Sequence, residues 1–106
     1  MTPAEEQQLI RESGRGKQAD AWLRDPMTLE AFEIVRAGIL ERWEGSPVED
    51  REGQHALRLM LKLLNDLKGN IEHIAMTGKM ADMQLTAFQK AKQATKRFIN
   101  EWGVRV

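Results

Sequence analysis

Apolar residues recur along this chain at steps of three and four, the period of a helix face. Leu29, Phe32, Val35, Ile39 and Trp43 follow that spacing, and it predicts a helix over 26–44. Leu57, Met60, Leu64, Leu67, Ile71 and Ile74 follow it more strictly and form a heptad seam. Leu59, Leu61 and Leu63 add apolar surface beside that seam, and a helix apolar on more than one stripe is packed on more than one side. Beyond Ile74 the same phase passes through Gly78, Ala81, Leu85 and Phe88. It then shifts to Ala91, Thr95, Phe98 and Trp102. No period-two alternation competes, so the expected class is all-α.

The punctuation agrees with the pattern. Each of the three prolines sits where a helix begins. Thr2 caps Pro3, with Glu5 and Glu6 in the first turn. Asp25 caps Pro26. Ser46, Pro47 and Glu49 read as a Ser-x-x-Glu capping box. Ser13-Gly14-Arg15-Gly16 reads as a break between a helix near 3–12 and a short one near 17–24. The expected architecture is one domain over 1–106: an antiparallel hairpin of helices 26–44 and 47–77, preceded by short N-terminal helices and followed by a C-terminal helix over 79–101. It would form a bundle or a coiled-coil assembly.

Gly78 leaves two readings open. A glycine after an apolar run commonly ends a helix. A glycine that keeps the seam in phase instead lets a neighbouring backbone approach closely. A helix unbroken from Pro47 to Glu101 would be about 80 Å long, far beyond the radius of gyration of about 13 Å of a compact domain of this size. Its seam would then need other copies or partners to cover it. Leu57, Met60, Leu64, Leu67 and Ile71 are the expected hairpin core, and Leu85, Phe88, Phe98 and Trp102 the expected partner-facing surface.

Composition removes several function classes. The chain has 106 residues, no Cys and no Tyr, so no disulfide and no thiol chemistry is available. Its longest apolar run is too short to span a bilayer, and the N-terminus lacks a signal-peptide profile, so no membrane role is expected. Formal net charge is zero, but unevenly spread. Residues 1–78 hold ten Lys/Arg against fourteen Asp/Glu, and residues 79–106 six against two. This polarity suits contacts between copies, or an acidic partner for the C-terminal end. Lys90, Lys92, Lys96 and Arg97 make the last helix a candidate for phosphate contacts with nucleic acid.

Candidate chemistry is otherwise weak. A phosphate-binding loop needs Gly-x-x-x-x-Gly-Lys-Ser/Thr after a strand. Around Gly78-Lys79 its first glycine is His73, its last residue is Met80, and no strand precedes it. Glu52-x-x-His55 has the spacing used in di-iron bundles, but the second such pair is missing, and His73 lies eighteen residues away. Ser13 and Ser46, the two serines, read as breaker and cap. No catalytic residue, metal ligand, cofactor or small-molecule substrate is expected.

The run from Glu30 to Leu67, with Thr77 to Leu85 after it, resembles a loose group of small helical bacteriophage proteins. The resemblance rests on Ala31-Phe32, Trp43 near the turn, Asp50-Arg51-Glu52 and Gly78-Lys79-Met80-Ala81, within residues 29–85. Such proteins are encoded beside portal, capsid or packaging genes. The resemblance implies a location in the virion or the host cytoplasm. It implies a role in particle assembly, through self-association or a larger phage structural protein. A nucleic-acid-binding accessory is the alternative, and a small inhibitor or adaptor of a host protein a further one.

Overall fold

The computed structural model describes residues 1–102. It contains three helices: α1, Pro3–Arg24; α2, Pro26–Glu44; and α3, Arg51–Glu101. No strand is present among the described residues. α1 starts as its sequence dictates: the Glu5 amide donates to Thr2 Oγ1 over 3.2 Å, and Pro3 occupies the first turn. α1 and α2 are separated by Asp25 alone, whose backbone is extended. Pro26 has no amide hydrogen with which to continue α1, and it fits the first position of α2. The Asp25 carboxylate caps no backbone amide; it accepts a hydrogen bond from Thr28 Oγ1 over 2.9 Å. Trp22 and Phe32 meet edge to face across the joint, 5.7 Å between centroids.

α1 and α2 lie end to end along α3, both antiparallel to it. Ser13 of α1 bonds to Asp82 of α3 and Gly16 meets Gly78, so steps forward in α1 match steps back in α3. Nearer the turn, Ile39, Leu40 and Trp43 of α2 face Leu57, Arg58 and Leu61. The result is a rod of 82 × 25 × 15 Å with a Cα radius of gyration of 23.3 Å. It is two helices wide and one helix thick. Such a layer has no inside. Among the described residues the buried apolar ones are Ala19, Ala75 and Ala81, and no large side chain is fully enclosed.

The hairpin is as expected, with three corrections. First, Ser13-Gly14-Arg15-Gly16 is not a break, because α1 runs through it without interruption. Ser13 and Gly16 are small because they face α3, where both are buried. Second, the helices expected over 47–77 and 79–101 are one helix, and Gly78 is buried inside it. Gly78 is therefore a close contact and not a stop. Third, α3 begins at Arg51, after the capping box. Asp50 is the cap, accepting from the Gly53 amide over 3.0 Å. Ser46 instead donates from its hydroxyl to the Trp43 carbonyl, 2.6 Å away. A Cβ at Gly53 would overlap the Asp50 carboxylate, so a side chain there would have to move the cap aside.

The seam also divides differently from its sequence phase. Leu57, Leu64 and Ile71 are half-buried as expected, joined by Leu61. Met60 and Leu67 are 49% and 51% exposed, because α2 packs to one side of the seam and leaves them at its edge.

Candidate functional site

The tightest feature is the crossing of α1 over α3. Ser13, Gly16 and Ala19 recur at steps of three on α1, and Ala75, Gly78 and Ala81 do so on α3. Small residues let the two backbones touch. A Cβ on Gly16 would overlap Gly78 Cα, and one on Gly78 would overlap Gly16 Cα and crowd the Glu12 carbonyl. Polar contacts flank the crossing. Ser13 Oγ donates to Asp82 Oδ1 over 2.9 Å, and Lys79 Nζ lies 4.0 Å from Asp20, which also pairs with Arg24 at 3.1 Å. A shallow cleft beside it is lined by Ser13, Lys17, Asp20, Lys79 and Asp82. These groups are largely engaged with one another, and the arrangement is a structural clamp.

The Gly78-Lys79 pair thus lies inside a helix, where the backbone amides of a phosphate cradle are occupied by helical hydrogen bonds. Glu52, His55 and His73 are all exposed. Five helical turns separate the two histidines, about 27 Å. Among the described residues, no group of three His, Asp or Glu side chains is placed to hold a metal.

The four residues expected to face a partner fall into two environments. Leu85 and Phe88 are half-buried, level with Glu6 and Leu9 of α1, which are half-buried too. Phe98 and Trp102 are 59% and 71% exposed, and their rings meet at a tilt of 40° with centroids 5.8 Å apart. Carried forward at equal rise per residue, the α1–α3 register ends α1 near Ala91. The last turns of α3 therefore project beyond α1 as a single helix.

Lys90, Lys92, Lys96 and Arg97 lie at and beyond that point. All four are exposed, and none makes an ion pair among the described residues. Lys92 lies over the Phe88 ring, 5.7 Å from its centroid. At about 100° per residue, Lys90 and Arg97 share one side of α3, and Lys92 and Lys96 the nearly opposite one. The four cations surround the helix and do not form one patch.

An apolar surface lies at the other end of the rod. Val35, Gly38, Ile39 and Arg42 of α2 and Met60, Leu63 and Leu67 of α3 line an open groove. Leu63 is 67% exposed. Sequence periodicity placed Met60 and Leu67 in the core and so hid this groove. The signal that could have revealed it is the surplus leucine beside the seam, Leu63. On the back of α3, Met76, Met80 and Met83 are also exposed.

Comparison with family models, with curated proteins and with solved structures finds no match. No helix among the described residues is long and apolar enough to cross a membrane.

Proposed function

We propose that this chain is a non-enzymatic helical interaction protein, acting in a phage particle or in its assembly. One observation carries the interaction reading: a rod one helix thick leaves Ile34, Val35, Met60, Leu63 and Leu67 in solvent. An isolated molecule has no second layer to cover that surface, and large exposed apolar patches mark sites of association. The phage setting rests on the resemblance over residues 29–85. Its partner would be a further copy or a larger shell, portal or tail protein. The test is mass spectrometry of purified particles of the phage that encodes the chain. Stoichiometric presence in particles, or in a precursor isolated before maturation, is the expected result. Absence from both overturns the particle role.

A second reading takes the projecting end of α3 as a nucleic-acid contact. The unpaired, exposed Lys90, Lys92, Lys96 and Arg97 favour it, and their spread around the helix argues against a single phosphate-tracking face. It requires labelled duplex or single strand to bind at low salt, and binding to weaken steeply as salt rises. No anisotropy change at low salt removes this reading.

A further inference from the structure

The accessible surface of the chain is 8860 Å² at a mass of 12.1 kDa. A compact monomer of that mass exposes about 6,000 Å². The surplus of nearly 3,000 Å² exceeds the roughly 800 Å² that each partner buries in a standard stable interface.

The surplus is organised. The three-four steps through Ala56, Met60, Leu63, Leu67, Phe98 and Trp102 trace one continuous double stripe along α3. From Gly53 to Trp102 that stripe carries no Asp, Glu, Lys or Arg, although α3 holds fourteen such residues. α1 covers the middle of the stripe, at Ile74 and Ala81. Its two ends stay open. One end is the floor of the α2–α3 groove, and the other is the projecting helix with Phe98 and Trp102. Gly38 lies in the groove wall, and a Cβ there would meet nothing within 4 Å. Among the described residues no neighbour fills that space.

The ends also differ in charge. Residues 25–70, which form the groove half, hold six Lys/Arg against nine Asp/Glu. The projecting turns carry Lys92, Lys96 and Arg97 against Glu101.

We infer that two copies pair antiparallel about a two-fold axis, each inserting the projecting end of its α3 into the α2–α3 groove of the other. This rests on the interaction reading above and names its partner and surface. Antiparallel pairing brings both contacts together at once, because groove and projection are equally far apart in each copy, and a two-fold contact is reciprocal by construction. It sets Phe98 and Trp102 against Met60, Leu63 and Leu67 of the second chain. It sets the basic turns on the half of the chain with the acidic excess, beside a groove whose one charged liner is Arg42. The projection beyond Ala91 is about 15 Å long, and the groove floor from Met60 to Leu67 spans about 10 Å.

The experiment is light scattering after size exclusion, with cysteine cross-linking of the full chain. The chain has no native Cys, so each introduced thiol reports one contact. The expected mass is twice 12.1 kDa. Leu63→Glu and Phe98→Glu should each halve it with the helical circular-dichroism signal retained. Met76→Glu, on the back of α3, should leave it doubled. Under oxidation Leu63→Cys combined with Phe98→Cys should link two chains, and either cysteine alone should not. A monomeric wild type overturns the pairing while the particle test above can still succeed. Linking by Leu63→Cys alone means that groove meets groove, and overturns it too.

Discussion

Gly16 and Gly78, sixty-two positions apart in sequence, touch backbone to backbone where α1 crosses α3. Two glycines that each look like helix breakers are one contact. Each would otherwise cost its helix about 1 kcal/mol relative to alanine. That cost is tolerated because only hydrogen fits between the backbones.

Gly78→Ala should therefore lower stability, against the helix-propensity trend. Overpacking costs about 1–3 kcal/mol and exceeds the propensity gain of about 1 kcal/mol. Thermal unfolding followed by circular dichroism measures it. An unchanged or raised midpoint would mean that the helices are not in contact there.

Gly14→Ala and Gly69→Ala should act in the opposite sense. Both glycines sit inside helices with nothing within 4 Å of an added Cβ. Each substitution should stabilise by about 0.5–1 kcal/mol. The sign difference from Gly78→Ala, in the same assay, separates packing from propensity.

Ser13→Ala should cost about 1–2 kcal/mol, because it removes a part-buried hydrogen bond to the Asp82 carboxylate. Ser13→Ala in an Asp82→Ala background should cost much less. Additive losses in this double-mutant cycle would mean that the two side chains do not interact.

The start of α3 offers a choice between two caps. Asp50→Ala should destabilise by about 1 kcal/mol through loss of the bond to the Gly53 amide. Glu49→Ala should have little effect, since the box expected from Ser46-x-x-Glu49 does not form. The reverse order in urea unfolding would restore the earlier start.

The fold class, the hairpin and the boundaries of α2 were legible because proline and the helical apolar period coincide at Asp25-Pro26, and because that period stops at Trp43 just before Gly45-Ser46-Pro47. What misled was glycine. Its local cost is visible in any sequence, whereas the reason for it, a second backbone sixty-two residues away, is not. Met60 and Leu67 were misplaced for a related cause. Helical phase identifies a stripe, but the side to which a neighbouring helix leans is decided by that neighbour, here α2. The projecting aromatic end was legible as a surface, through Phe98 and Trp102, while the groove appeared only once α2 was in place.

The joint at Asp25 divides the rod into parts that form on different terms. The α2–α3 hairpin closes through a short turn, so its contacts are local and its closure entropy is small. α1 must find a stretch of α3 far from it in sequence, whereas its link to α2 is one extended residue and one ring pair. The α2–α3 contacts therefore need little closure entropy, while the buried residues among those described, Ser13, Gly16, Ala19, Ala75, Gly78 and Ala81, all lie on α1 and α3. In hydrogen exchange the amides of α2, which buries no residue, should open below the global unfolding free energy and ahead of those around Gly16 and Gly78. An α1 that leaves intact also carries Gly16 with it, and the notch at Gly78 on another chain is the same notch. The single-residue joint makes this protein a candidate for exchanging its first helix between neighbours.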